Sequence, residues 1–554
     1  MLASLRRNWI HGASIGLLLV VFGFLMFNAW AQSPTMDEQN HIARGYALLR
    51  TGDPRLSIEH PPLINLLEAL PLLILRDRPR LPLDDWSWGA ARWYDFATMF
   101  MWQTNVQPDR IVFLARLPVI AMTLLLLALA ARWARELWGK GGGLLAMAFL
   151  AFDPNLLAHG SLATTDLGIT LTVLIAGYAV WRMCHVLNVR SVLLTGLALG
   201  AMLASKTSAP MFLGVFGVLF VGSAWQKGEA ADRWRRVTER VVIYAAATLI
   251  ALLFLWVIYA FQVAPVVEGG AALPMGTYWQ GILAVFNNVQ GGQPSYLLGE
   301  TILGGWPFYF PITFAVKTPL PTLLCLLVAI PASVRRKRWR TTLFLLVPAA
   351  VYWAFVLYSS LNLGYRHLLP TLPFLFVWAA QVGEADLPGQ RAARRWQFNG
   401  ARIATVLFVW LVIETFWIAP HFLAYFNPIG GGPENGWKII ADSNIDWGQD
   451  LKYVRDYVAR ARLTDFKLSW FGTAPPAAYG LVYEPLPGHP HHFDLWFEPP
   501  TFNEQQPEPG LYIISVSNLV ELPLDKKHFF AYFRAREPDV RIGYSVYVYE
   551  VKEP

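Results

Sequence analysis

Runs of roughly 15 to 24 apolar residues, separated by short polar clusters, fill the first three quarters of the chain. An apolar helix of about 20 residues crosses a ~30 Å hydrocarbon layer, so the pattern predicts a bundle of membrane-spanning helices. Eleven spans can be drawn, near residues 12–31, 111–131, 141–158, 167–187, 191–205, 208–225, 241–264, 319–334, 341–360, 368–382 and 401–421. The fifth and sixth are short and meet at Ser205-Lys206-Thr207, which reads as a broken or re-entrant pair. The first is too long for a cleaved signal peptide, and no small-residue cleavage site follows it.

Composition agrees with the pattern. Of the 554 residues, 55% are hydrophobic and 15% are charged, against about a quarter charged in a soluble domain. That excludes a cytosolic enzyme, a disordered scaffold and a disulfide-stapled secreted domain. Cys184 and Cys325 both lie in apolar segments and build neither a disulfide framework nor a cysteine metal site. The 24 Trp and 21 Tyr suit membrane interfaces, where amphipathic rings collect.

A net charge of +7 could suggest nucleic acid, but its placement argues against that partner. Arg6/Arg7, Arg132/Arg135/Lys140, Arg182/Arg190, Lys227/Arg233/Arg235/Arg236/Arg240, Arg335/Arg336/Lys337/Arg338/Arg340 and Arg391/Arg394/Arg395 all fall on one face of the eleven-span arrangement. The positive-inside rule makes that face the cytoplasm. The N-terminus is then cytoplasmic in a multi-pass protein of the inner or plasma membrane, and an odd number of spans sends the C-terminus outside.

The long polar stretches fall on the outer face, at about 32–110, 265–318 and 422–554. Within the first, residues 61–75 are apolar but too short to span, which suits a helix lying in the interface. Residues 86–102 are aromatic-rich and read as a second such piece. The chain therefore divides into a transmembrane module, 1–421, and an outer domain, 422–554. In the latter, residues 449–463 suit an amphipathic helix, and 466–471, 511–516 and 540–551 read as strands of a small α/β domain.

Candidate chemistry lies at the outer ends of the spans. TMDEQNHIARGYALLRTGD places Asp37 beside Glu38, with His41 one helical turn beyond Asp37. A carboxylate there can serve as a general base; equally, Thr35 and Glu38 have the spacing of a capping box. Asp166, in SLATTDLGITL, opens the fourth span and suits either chemistry or an N-cap. Asp153, before Pro154, reads as a turn residue.

Lys206, Lys317 and Arg366 sit at or beside span ends with His60 and His367 nearby, a pattern that suits an anion. Single cations of this kind also snorkel to headgroups. Asp442, Asp446 and Asp450 in DSNIDWGQD suit turn and capping use better than a metal, and His489, His491 and His492 suit a polar loop. No phosphate-binding glycine loop, dinucleotide fingerprint or nucleophilic triad is evident, so nucleotide binding has no support.

DEQNHIARGYALLRTGD followed by EHPPLINLLEALPLL resembles the first outer loop of bacterial glycosyltransferases of the protein O-mannosyltransferase and aminoarabinose transferase type. FLARLPVIAM, FDPNLLAHGSLATTDLG, the Lys206 segment, VKTPLP, GYRHLLPTLPFL and FNPIGGGPENGWKIIADSNIDWGQDL extend the resemblance over about three quarters of the chain. It implies a GT-C fold with about eleven transmembrane helices and a polyprenyl-phosphate sugar as donor. It also implies Asp37 as the base, Glu38 and Asp166 as further catalytic acids, and Arg366, Lys317 and Lys206 as cations for the donor phosphate. In EHPPL, His60 stands where aminoarabinose transferases carry a lysine. His41 and His367 are further candidates. The resemblance leaves one cofactor open, a divalent metal on Asp37, Glu38 and Asp166.

The expected function is outer-face transfer of a sugar to a hydroxyl of a protein, glycan or lipid. An oligosaccharyltransferase or glycan ligase shares that donor geometry, although IDWGQD lacks the WWDYG pattern. A carrier would need polar or broken elements at mid-membrane, often in paired repeats, and neither pattern is evident. A non-catalytic assembly protein would leave the paired acids of the first loop unexplained.

Overall fold

The computed structural model describes residues 2–225, 230–267, 269–383, 400–488, 503–523 and 528–553. The candidate histidines His489, His491 and His492, with Lys227, Arg391, Arg394 and Arg395, lie outside them. The structure is a helical bundle joined to a small mixed sheet. Among the described residues six helices are long and apolar enough to cross a membrane. A seventh span results if Tyr309–Lys317 and Leu320–Arg335, bent by 107°, are taken together. The protein is a multi-pass membrane protein.

The expected count of eleven is not reached by length, and the physical reason lies in the breaks. Val189–Leu203 and Pro210–Gly222 are short apolar helices on either side of the Lys206 loop. The span expected at 368–382 is divided among the 3-10 turn Tyr365–Thr371, the helix Leu372–Ala379 and a second 3-10 turn. The spans expected at 111–131 and 141–158 lie in Pro108–Ala151, which turns at Gly139 (φ 77°). The chain doubles back there closely enough that a Cβ on Gly143 would lie 2.7 Å from the Ala131 carbonyl.

The first outer loop folds as several short helices. Glu38–Thr51 packs on Leu63–Ala69, the expected interfacial helix, which continues as a 3-10 turn to Ile74. Trp86–Gly89 and Trp93–Thr98 follow. Their apolar faces share a cluster that includes Ile42, Tyr46, Leu72, Phe96 and Phe100. Burial of those faces anchors the loop as a folded layer above the bundle.

Two antiparallel hairpins, β1 (Val263–Pro265) with β2 (Ala272–Pro274) and β3 (Pro294–Leu297) with β4 (Glu300–Leu303), stand in the second long loop. The C-terminal sheet contains β5 (Lys467–Ser469), β6 (Glu484–Pro485), β7 (Gly510–Ser515), β8 (Val540–Ile542) and β9 (Val546–Val551) in the order β6-β5-β7-β9-β8. The strand expected over 540–551 is thus two strands. Gly543 and Tyr544 both take positive φ, and the chain folds back on itself there. The helix Leu451–Ala461 buries Leu451 and Val454 on the sheet, as its spacing requires.

The sheet domain is bonded to the first loop as well. Ser33 donates its backbone N–H to the Gln449 carbonyl at 3.0 Å, and its hydroxyl accepts from the Leu451 N–H at 2.9 Å. Tyr479 donates to Asp109 at 2.7 Å. These bonds position the segment 442–447 over the bundle.

Candidate active site

A cavity of about 560 Å³ opens where the first loop, the Lys206 loop, the Arg366 turn and the segment 442–447 converge. Asp37, His41, His60, Lys206, Arg366 and His367, all expected from sequence, line it. At its floor charges alternate in sign. Arg366 donates to Asp37 at 2.8 Å and stands 3.8 Å from Asp166, while Lys206 donates to the other oxygen of Asp166 at 2.6 Å. Arg366 also stacks over Trp447, 4.2 Å from the ring centroid. Four residues separated by up to 329 positions thereby form one constellation.

Local structure explains how each group is held. Asp37 immediately precedes the helix Glu38–Thr51. Asp166 lies in the first turn of Thr165–His185, where the helix N-terminus favours negative charge. Arg366 rides on the turn that begins after Gly364, whose φ of 102° suits glycine. A Cβ on Gly364 would meet the Ser443 hydroxyl at 2.8 Å. Asn444 accepts from the Tyr365 N–H at 2.9 Å, and Ser443 donates to the Leu363 carbonyl at 2.7 Å. The segment 442–447 therefore clamps the turn that presents Arg366.

The histidines are held neutral. His41 is hydrogen-bonded through Nδ1 to Asn65 at 3.1 Å and lies parallel to His60, with ring centroids 5.7 Å apart. Burial, then the nearby Arg44 guanidinium, pushes His41 down to about 4. Burial and the Lys206 ammonium hold His60 well below the usual imidazole range. As a neutral ring His60 offers a hydrogen bond rather than a charge to an anion. Beside them, Glu59 is held below its ordinary value against the pull of burial by its 2.6 Å pair with Arg44.

Two of the expected site residues have other work. Glu38 is fully buried outside the cavity, and both its oxygens are occupied. Arg116 donates to them at 2.8 and 2.6 Å, with the Thr35 and Ala163 N–H groups each at 2.8 Å. The Thr35 bond is the return half of the expected capping box. Lys317 also lies away from the cavity, donating to the Leu423 and Asn444 carbonyls at 2.7 and 2.6 Å. A cation with both neighbours so placed fastens the fold and does not face a ligand.

The candidate metal ligands do not converge. Arg366 bridges Asp37 and Asp166, Glu38 belongs to Arg116, and among the described residues no group of three His, Cys, Asp or Glu is placed to hold an ion. Asp153 caps Pro154–His159, accepting from the Asn155 and Leu156 N–H groups at 2.9 and 3.0 Å. Asp446 and Asp450 face backbone and hydroxyl donors. Sequence reasoning missed Trp447 and Asp442, both in the cavity wall. It also missed Arg116, although an arginine inside the apolar run FLARLPVIAM requires a buried carboxylate partner.

Residues 89–267 match the sequence profile of the dolichyl-phosphate-mannose-protein mannosyltransferase family. This segment contains Arg116, Asp166 and Lys206, and the match supports a membrane glycosyltransferase. None of the curated proteins matches the sequence significantly.

Among solved structures the chain is similar to ArnT from Cupriavidus metallidurans. The apo form aligns at 12% identity over 97% of each chain with a TM-score of 0.46, and the form bound to undecaprenyl phosphate aligns at 12% over 97% of each with 0.47. The Archaeoglobus fulgidus oligosaccharyltransferase aligns at 13% identity over 78% of this chain and 57% of its own, with a TM-score of 0.45.

Proposed function

We propose that the protein transfers one sugar from a polyprenyl-phosphate donor to an acceptor hydroxyl at the outer membrane face, by inverting single displacement. The observation that carries this reading is the Asp37–Arg366–Asp166–Lys206 constellation, in which Asp37, Arg366 and Lys206 line one cavity and Asp166 lies buried behind the two cations. A polyprenyl phosphate keeps its tail in lipid and brings its phosphosugar to the surface. Arg366 and Lys206 then hold the phosphate, and Asp166 positions both cations. His60 and His367 add neutral hydrogen-bonding groups.

In the reaction the acceptor oxygen bonds to the anomeric carbon as the carbon–phosphate oxygen bond breaks. The hydroxyl proton passes to Asp37, and the electron pair leaves with the phosphate, whose growing charge the cations stabilise. The acceptor is a hydroxyl of a protein, glycan or lipid. On the orientation implied by the basic clusters, the cavity faces outward, with the N-terminus in the cytoplasm.

The test is transfer of radiolabelled sugar from polyprenyl-phosphate donors by the purified protein in membranes. Wild type should be active and Asp37→Asn should lose activity by about 10²–10⁴-fold, the usual contribution of a general base, while still folding. An equally active variant would move the base elsewhere. A product that keeps the donor's anomeric configuration would exclude single displacement.

A further inference from the structure

Three carboxylates line the cavity, and they are not equivalent. Asp37 is paired with Arg366 and Glu59 with Arg44. Asp442 has no ion pair within 4 Å and accepts no side-chain hydrogen bond among the described residues; the Ser443 N–H beside it bonds to its carboxylate, Arg366 attracts it and Asp37 repels it at longer range. Its backbone takes a φ of 59°, a left-handed conformation that L side chains rarely adopt. The neighbours that fix it there are Ser443 and Asn444, both bonded to the Arg366 turn. The segment thus holds an acceptor-rich side chain against the cavity with lone pairs to spare.

We propose that Asp442 accepts hydrogen bonds from hydroxyl groups of the transferred sugar and so forms the sugar subsite of the cavity. This rests on the polyprenyl-phosphate reading above. A carboxylate repels the donor's phosphate, so its partner is the uncharged, hydroxyl-bearing part of the ligand. The rest of the cavity lining suits such a part too, with Trp447 and Phe471 and neutral polar groups from Gln293 and Ser359. The phosphate lies with Arg366 and Lys206, and the sugar extends from it toward the segment 442–447.

The experiment compares the full-length protein with Asp442→Asn and Asp442→Gly in binding two kinds of lipid. One is polyprenyl phosphate without sugar, and the other is a panel of polyprenyl-phosphate hexoses. Glycine adopts the backbone conformation of residue 442 without strain, so Asp442→Gly should keep its thermal midpoint and tests the side chain alone.

The expected result is a loss of about ten- to a hundredfold in affinity for the sugar-bearing donor, the scale of one or two hydrogen bonds to a charged group, with unchanged affinity for the sugarless lipid. Equal losses for both lipids would overturn the proposal, since Asp442 would then act through Arg366 on the phosphate. So would no loss in either variant, or a wild type that holds no hexose donor better than polyprenyl phosphate. A wild type that binds neither lipid would overturn the donor reading itself.

Discussion

Asp37 and Glu38 are neighbours in sequence, but successive helical positions point about 100° apart, and the two carboxylates meet opposite surroundings. Asp37 meets Arg366 at the cavity, and Glu38 is sealed against Arg116. Removing one partner of a buried pair leaves the other charge uncompensated, at about 3–5 kcal/mol. Glu38→Gln is therefore expected to lower the unfolding midpoint strongly in detergent, with donor affinity retained in the folded fraction. Asp37→Asn should instead keep the midpoint and lose transfer, since its role is to take the acceptor proton. Lys317→Met is expected to resemble Glu38→Gln, since it leaves two carbonyl acceptors unserved at roughly 1–3 kcal/mol each. An unchanged midpoint in either Glu38→Gln or Lys317→Met would show that the buried contacts are dispensable.

His41 gives a pH dependence whose sign follows from its burial. Folding pushes the ring from near 6.5 down to about 4, so between those values the unfolded chain binds a proton that the folded chain refuses. The contribution to stability is complete above about pH 6.5 and is lost as the pH falls toward 4. His41→Asn should flatten the slope of unfolding free energy against pH in that window by up to one proton. An unchanged slope would mean that His41 does not titrate with unfolding.

At the scale of elements, the first loop depends on a close approach between Glu38–Thr51 and Leu63–Ala69. A Cβ on Gly45 would collide with the Asn65 carbonyl oxygen, an impossible contact with backbone. Gly45→Ala must push the helices apart, and Asn65 is the partner of His41. The expected cost is about 1–3 kcal/mol, read as a lower midpoint together with weaker donor binding. A midpoint equal to that of wild type would mean that the loop repacks freely.

These elements also show what hydropathy can reveal. The positions of the helices and the broken pair around Lys206 follow from apolar runs, because burial and span length act locally. The alternation over 540–551 continues through the reversal at Gly543, so the pattern predicts one strand where the chain forms two. Pairing between distant segments leaves no such local trace. Glu38 looked like half of a catalytic pair because its partner, Arg116, lies 78 residues away. Asp442 looked like a turn residue, and its positive φ does place it in a tight local conformation. What the sequence could not display is that this turn closes over Arg366.

At the scale of the whole molecule, the boundary expected near residue 421 does not separate the site from the C-terminal part. Asp37, Asp166, Lys206 and Arg366 all precede it, but the groups that clamp and floor the Arg366 turn follow it. Ser443 and Asn444 bond that turn, Trp447 lies beneath the guanidinium, and Asn444 also accepts from Lys317 through its carbonyl. A chain ending at residue 421 keeps the proposed base, the proposed phosphate cations and Asp166, yet loses what orients Arg366.

Misplacement by about 1 Å can cost two orders of magnitude in rate, so transfer is expected to fall at least about a hundredfold in that truncated chain even where it inserts in the membrane. Polyprenyl-phosphate affinity should fall as well, because the turn that presents Arg366 loses the groups that clamp it. A domain that merely selected the acceptor would give a different pattern. Its removal would spare donor binding and also spare hydrolysis of the donor by water. Measuring donor affinity, donor hydrolysis and transfer on the same truncated preparation distinguishes the two, and intact donor affinity would show that the C-terminal part is an accessory to the site.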